Sequence, residues 1–410
     1  MLAGALPRDI IFVMKHSRPL HNSGEDGLEV EITDLPEGGE DADRPMIWLE
    51  RVLMAWQRSV ARHPKSWHLA SLLSLGMLLL LVLGFGFGNL FGLFAERLPS
   101  QNSTFVFPTR PPFNPNLYPH SNHPDAVYSG HQGLVDNVAW SPDGKSFASG
   151  GFDNTVQVWN TVTKKRLVYR GHTDEVLGIA WSPDGKYIAS ASRDMTVQIW
   201  NATSGERVWI YHDTRAVYSV AWSPNGTFIA FGDDLNLVSI WNVVANREVR
   251  ILSGHLGGVL SIAWSPDGTR LATSGLDFTV RIWKVSNGEL LLIYAHHDDV
   301  VPAVAWSPDG KLIASASHDT TVQVWNANTG KIVLDYQGHD NAVYGLAWSP
   351  DGKSIASASG DGTVQVWSAS NGAHIMTYFV AATCVAWSPN GKQIAVGVQN
   401  GQVVIWNIQK

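Results

Sequence analysis

Cysteine is almost absent from this chain, with one residue, Cys384, in 410. A single thiol closes no internal disulfide, so cysteine says nothing about the redox compartment. Cys384 lies in the apolar run C-V-A-W and reads as a buried thiol. Basic charge is also scarce: 29 Lys and Arg face 36 Asp and Glu, a formal net charge of −7. The basic footprint of a nucleic-acid binder is missing, and no nucleic-acid partner is expected. No His, Cys, Asp or Glu cluster has metal-ligand spacing, no glycine loop is placed to cradle a phosphate, and no nucleotide or kinase motif precedes the apolar run. No metal, no cofactor and no catalysis are therefore expected.

Tryptophan is what the chain has in excess, 18 in all. The phrase A-W-S-P-(D/N)-G recurs seven times, with its Trp at Trp140, Trp181, Trp222, Trp264, Trp306, Trp348 and Trp387. A second Trp follows each, at Trp159, Trp200, Trp241, Trp283, Trp325, Trp367 and Trp406. A period near 40 residues ending in Trp points to a ring of small sheets.

In front of the repeats the composition changes four times. Residues 1–43 are expected to be a mostly disordered tail. Nine acids and no Lys or Arg stand between 21 and 43, with too little apolar surface to fold alone. Residues 44–68 reverse the sign: Arg51, Arg58, Arg62 and Lys65 surround a helical stripe of Trp48, Leu53 and Trp56, which reads as a basic amphipathic helix beside a membrane. Residues 69–94 carry no charge and are long enough to span a bilayer. This stretch is expected to be a single uncleaved transmembrane helix. Gly76, Gly84, Gly88 and Gly92 share one face of it, a spacing that suits a homodimer contact. Residues 95–124 are rich in proline and read as a semi-extended linker without strand pattern. Cations are more numerous before the span than after it. This places the N-terminus in the cytoplasm and the repeats, 125–410, outside the cell membrane.

Each repeat reads as four short strands. An apolar strand ends at A-W-S, and S-P-D-G makes a turn because Pro presets φ and Gly accepts the close. I-A-S-A-S, T-V-Q-V-W and a short fourth strand follow. A sheet apolar on both faces is stable only when stacked between neighbours. These motifs resemble the WD-repeat β-propeller family, and their A-W-S-P-D-G-K wording resembles its bacterial members. The usual final Trp-Asp appears here as Trp-Asn, Trp-Lys or Trp-Ser. The resemblance implies an all-β, seven-bladed propeller of four-stranded blades. It also implies a His, Ser/Thr, Asp and Trp hydrogen-bond set inside each blade. Five copies hold the residues: His131, Ser149, Asp153, Trp159; His172, Ser190, Asp194, Trp200; His255, Thr273, Asp277, Trp283; His297, Ser315, Asp319, Trp325; and His339, Ser357, Asp361, Trp367. Repetition argues that these Ser, His and Asp are structural rather than a hydrolase triad. Copy three has Phe231 and Leu235 in the Ser and Asp positions, and copy seven has Val396 and Asn400. Residues 126–129 align with 334–337 and are expected to supply the last blade's missing outer strand.

The resemblance also implies partner binding on the narrow face. The positions it assigns include Phe152, Leu177, Arg193, Tyr218, Leu260, Leu276 and Tyr344, a set of aromatic and aliphatic groups with one Arg that suits a protein or peptide partner. Three functions compete. The first is a membrane-anchored scaffold. The second is a transmembrane sensor whose propeller signals to the N-terminal tail. The third and weakest is a propeller enzyme.

Overall fold

The computed structural model describes residues 120–121 and 123–408. Every repeat folds into one antiparallel sheet of four strands, and seven sheets form a ring. Blade 1 consists of Val135–Trp140, Ser146–Gly151, Val156–Asn160 and Arg166–Tyr169 from the centre outward. The innermost strands of successive blades pack against one another, and that of blade 7, Ala382–Trp387, packs on that of blade 1. Each second strand is almost wholly buried, as the alternating Ile-Ala-Ser-Ala-Ser residues lie between two neighbouring sheets.

The S-P-D-G turns show why that phrase repeats. Ser141 Oγ donates to Asp143 at 2.7 Å, and the same Asp accepts the backbone N–H of Lys145 at 3.0 Å. Gly144 closes the turn at φ 68°, a region that only glycine enters without cost. In blades 3 and 7 Asn225 and Asn390 stand in for Asp, each accepting from its Ser at 2.8 Å.

In five of the seven repeats the first Trp ties one blade to the one before it. Trp181 Nε1 donates to the Ala139 carbonyl at 3.0 Å, and Trp264, Trp306 and Trp348 reach Ala221, Ala263 and Ala305 in the same way. Trp140 closes the circle on Ala386 of blade 7 at 3.3 Å. Trp222 and Trp387 do not make this bond, and their indole nitrogens are buried without a partner. The junctions entering blades 3 and 7 therefore lack the tie that the other five junctions have. A second link runs through the outer strands: Tyr294 lies flat on Trp325 at 4.2 Å and donates to Gln323 at 2.6 Å, and Tyr336 repeats both contacts on Trp367 and Gln365.

Ala126–Ser129 pairs antiparallel with Gln402–Asn407, so the start of the propeller supplies the outer strand of its last blade. Asp125 then caps this contact, accepting from Asn407 N at 2.7 Å. The linker reading needs correction at its end. His120–Ser121 pairs in parallel with the outer strand of blade 6, His374–Phe379, and gives that sheet a fifth strand. The cause is backbone rather than side-chain pattern. An outer strand leaves N–H and C=O groups unpaired, and the prolines at 119 and 124 favour extended backbone on either side. The acidic tail, the basic helix, the apolar run 69–94 with its glycines and the linker before 120 lie outside the described residues. Among the described residues no helix is long and apolar enough to cross a membrane.

Candidate functional site: the His-loop face

The loops that carry His and the turns that carry Asp meet at the same end of every blade, because the four strands alternate in direction. In blade 2 His172 Nδ1 lies 2.8 Å from Asp194 and Nε2 lies 2.7 Å from Ser190. Trp200 Nε1 donates to Ser190 Oγ at 3.3 Å. With Nδ1 protonated, the chain of donors runs from Trp through Ser and His to Asp with no lone pair left facing another. The Asp also accepts from Thr196 Oγ1 at 2.6 Å and from the backbone N–H of Thr173 at 3.0 Å. Burial pushes the Asp194 carboxyl up, but its His and Thr hydrogen bonds outweigh that and hold it at about 2. Asp319 is held at about 2 by the same balance.

Blades 4, 5 and 6 assemble the same four-membered chain, closed by Trp283, Trp325 and Trp367 on Thr273, Ser315 and Ser357. In blade 1 it stops one step short. His131 reaches Ser149 at 2.8 Å and Asp153 at 2.9 Å, but Trp159 Nε1 has no partner. The full set expected there is corrected to three members. The difference goes with Phe147, which stands where the other blades have Ile or Leu: Tyr128 meets Phe147 edge-on at 4.9 Å and Trp159 at 66°, rather than lying flat on the indole. In blade 3 Phe231 fills the Ser position as a fully buried ring. In blade 7 Trp406 Nε1 turns to the His123 carbonyl at 3.2 Å.

The same end of the ring brings the expected partner-binding positions together in a regular way. In all seven blades the residue before the turn Asp donates its N–H to the carbonyl of the residue three past the His position. Phe152 bonds Leu134 at 3.0 Å, Arg193 bonds Glu175 at 3.0 Å and Leu276 bonds Gly258 at 3.0 Å. Phe152 is 63% exposed, and Arg193 and Leu276 are also exposed. Tyr218, Tyr344, Leu177 and Leu260 are half-buried on innermost strands. Tyr344 stands edge-on to His318 at 5.7 Å, and Tyr218 donates to Asp234 at 3.2 Å. Glycines make room for both rings: a Cβ on Gly360 would meet the Tyr344 hydroxyl at 2.8 Å, and one on Gly258 would meet the Tyr218 ring at 3.1 Å.

Comparison with known proteins assigns the fold to a family. A family model described as WD domain, G-beta repeat matches residues 122–160, 163–201 and 205–242. A second, described as IFT122 first beta-propeller, matches residues 259–410. The chain belongs to the WD-repeat propeller family. Curated relatives match over one to two repeats. The "Probable cytosolic iron-sulfur protein assembly protein 1" of Mycosarcoma maydis is 44% identical over 45 residues, 11% of this chain and 10% of that protein. The "Notchless protein homolog" of Arabidopsis thaliana is 49% identical over 43 residues, 10% and 9%. The "Ribosome assembly protein 4" of Chaetomium thermophilum is 39% identical over 69 residues, 17% and 12%. The chain thus covers about a tenth of the length of the curated relatives it matches.

Three residues of this WD-repeat face escaped the sequence reading. Met195 is 46% exposed, Leu235 is 45% exposed, and Leu256 is also exposed. With Phe152 and Leu276 they make an interrupted apolar crescent over blades 1 to 4, one or two exposed side chains per blade with the exposed Arg193 and Asp234 between them. The signals were present: Met195 sits between Asp194 and Thr196 at φ 64°, where the turn aims an unhelped side chain outward, and Leu235 replaces the largely buried Asp that bonds His in five other blades, so no such bond holds it inward. The loops of blades 5 and 6 are polar by contrast, with Asp298, Asp299 and Asp340.

A carboxyl pair stands beside the crescent. Asp136 Oδ2 is buried without a hydrogen-bond partner. Burial, then the neighbouring Glu175 carboxylate, push Asp136 up to about 8, with Arg193 opposing. Glu175 is itself paired with Arg193 at 2.7 Å. The native state therefore holds a proton that the unfolded chain releases near its ordinary value of 3.8. Stability from this group is complete below pH 4 and is lost as pH rises towards 8. Thermal melts of Asp136→Asn should show the variant gaining on the native protein by a few degrees between about pH 5 and pH 8. Parallel curves would mean that Asp136 is ionised throughout. Among the described residues no group of three or more His, Cys, Asp and Glu is arranged to hold a metal ion.

Proposed function

We propose that this WD-repeat propeller is a membrane-anchored scaffold that binds a protein or peptide on its His-loop face, the narrow face of the family. The observation that carries the reading is the exposed apolar crescent led by Phe152 on a ring whose blades are fastened to one another. Exposed apolar groups gathered on one rigid surface are what partners bury. The names of the Chaetomium and Mycosarcoma relatives point the same way, since both describe assembly proteins. The anchor is residues 69–94, whose length and lack of charge suit a single span. The charge bias around that span puts the N-terminus in the cytoplasm and the propeller on the other side, and the glycine face of the span suits a homodimer. Catalysis has no part in this reading.

The test is crosslinking capture from intact membranes with Phe152, Tyr218 and Tyr344 all changed to Ala. Phe152 is exposed, whereas Tyr218 and Tyr344 are half-buried, so the triple variant is expected to melt several degrees below the native protein, and capture is compared at a temperature well below both melts. The variant is expected to lose at least tenfold of the captured partner. Undiminished capture would remove the site from this face.

A further inference from the structure

Of the seven outer strands, one is apolar, uncharged and uncovered along its whole length. An outer strand leaves a row of backbone N–H and C=O groups facing away from its sheet, and charged side chains are the usual guard against pairing there. Blade 1 carries Arg166 in this strand, blade 2 Arg207, blade 3 Arg247, Glu248 and Arg250, and blade 5 Asp335. In blade 6 the strand His374–Phe379 has no Lys, Arg, Asp or Glu, and His120–Ser121 covers it. Ala126–Ser129, which closes blade 7, has a single exposed aliphatic side chain, Val127. Blade 4 ends in Leu290–Tyr294, with the sequence Leu-Leu-Leu-Ile-Tyr. Among the described residues no strand pairs with its outer side.

Leu290, Leu291 and Ile293 are exposed. Leu292 and Tyr294 turn to the seam with blade 5, where Tyr294 lies flat on Trp325. Strand alternation then puts Leu291 and Ile293 together on the other side. The neighbouring outer strands add Ile251 in blade 3 and Ile332 and Val333 in blade 5. Charged and titratable groups stand around this strand: Lys284 and Glu289 before it, His296 and Asp298 after it, and Arg250 and Asp335 on the neighbouring blades. None of them lies within it. Arg250 donates to the Ser286 carbonyl, and Asp335 accepts from Gln337 at 2.8 Å.

We propose that this edge joins two copies of the chain. The outer strand of blade 4 lies antiparallel to the same strand of a second copy, and two four-stranded sheets become one of eight about a two-fold axis. His120–Ser121 on blade 6 shows that an outer edge of this ring accepts a further strand. A two-fold contact sets a surface against its own image. A strand with charge on its edge would carry that charge into the contact twice, once from each copy. Leu290–Tyr294 brings only aliphatic and aromatic groups. Centred on Leu292, the pair sets Leu291 of each copy opposite Ile293 of the other, and such aliphatic cross-strand pairs stabilise a sheet. An unguarded edge left open would recruit any strand it met. Pairing with its own image covers this edge and opens no new one, so the contact closes at two copies. It lies on the rim of the ring, apart from the His-loop face and from the glycine face of residues 69–94, and stands or falls without them.

The test is crosslinking of the full chain in isolated membranes with a short bismaleimide. Leu291→Cys places a thiol beside the two-fold axis. Val208→Cys places one at an equally exposed point on the outer strand of blade 2, next to Arg207. Leu291→Cys should give about tenfold more covalent dimer than Val208→Cys. Adding Ile293→Lys to Leu291→Cys sets an ammonium group against the leucines of the other copy and should lower the dimer about tenfold. Adding Val208→Lys instead should change it by less than about twofold. A dimer held elsewhere in the chain would crosslink the two positions alike. Equal yield at 291 and 208, a ladder of larger species from Leu291→Cys in place of a dimer, or a yield that Ile293→Lys leaves unchanged would overturn the proposal.

Discussion

Changing Asp277 to Ala is expected to cost the propeller about 3–5 kcal/mol, a drop of about 10 °C in melting temperature. Asp277 is the most buried carboxylate of the His-loop face to accept so many bonds: His255 Nδ1 at 2.9 Å, Thr279 Oγ1 at 2.8 Å, Leu256 N at 3.0 Å and Arg281 at 3.3 Å. Burial pushes its carboxyl up, and His255 and Arg281 more than reverse that, holding it well below the usual carboxylate range. Arg281 is 4% exposed, and its Nε already lacks a partner. Removing Asp277 would strand a buried guanidinium with nothing to neutralise it, which costs more than a lost neutral hydrogen bond. In blades 1, 2, 5 and 6 the place of Arg281 is held by Gln157, Gln198, Gln323 and Gln365. Adding Arg281→Gln to Asp277→Ala should therefore recover part of the loss. Asp153→Ala in blade 1 should cost less than Asp277→Ala, since no Arg is buried beside it. Urea denaturation of the four proteins checks this, and a cost below about 1 kcal/mol for Asp277→Ala would show that the buried pair is not a main fastening of blade 4.

The second large effect is expected at the join. Asp125 N donates to the Ile405 carbonyl at 2.9 Å, and the antiparallel register sets Val127 opposite Val404. That register sets Asp125 and Ala126 both against Ile405, a bulge that shifts the bonded rungs by one, so the donors facing the partner strand are the N–H groups of Ala126 and Tyr128. Pro at 126 removes one of those donors and places its ring against the strand. The expected cost is about 2–3 kcal/mol, and the manner of failure matters more than its size. With Ala126–Ser129 released, Gln402–Asn407 becomes an open edge, and Tyr128, a buried residue packed on Phe147 and Trp159, leaves the seam between blades 7 and 1. An open edge of this kind recruits other chains. Light scattering should show Ala126→Pro self-associating well below its melting temperature, whereas Val208→Pro, on the outer strand of blade 2 away from the seam, should not. Equal behaviour of the two variants would mean that closure is carried by the inner strands alone.

What the sequence revealed and what it concealed divide along a physical line. The seven blades, the turn chemistry and the closing strand were legible because each follows from a local phrase repeated at a fixed interval. The His, Ser or Thr, and Asp contacts of five blades could be located by number for the same reason. Contacts that depend on how two blades meet were not legible. Ala-Trp occurs in all seven copies, yet Trp222 and Trp387 do not reach the carbonyl that the other five find. Trp159 belongs to a complete set in sequence but loses its bond beside the larger Phe147. The strand at His120–Ser121 came from backbone alone, which residue pattern does not report. On the candidate surface, Phe152 and Leu276 were found through their positions in the repeat. Met195 and Leu235 were passed over, because one reads as turn filler and the other as a lost structural Asp.

Cys384 makes the most direct measurement possible. It is the chain's one thiol, and burial pushes it up to about 12, so it stays protonated and slow to react. Phe152→Cys then supplies a single reactive thiol at the most exposed apolar point of the His-loop face. Asp309→Cys supplies one at the Pro-turn face. Each would be labelled on whole cells with a membrane-impermeant photo-crosslinker and illuminated. The account proposes a propeller outside the cell membrane and so predicts labelling at both positions, with a discrete protein adduct from position 152 only. Labelling that appears only after the cells are opened would contradict the proposed orientation. Adducts of equal yield from both faces, or from 309 alone, would contradict binding on the His-loop face.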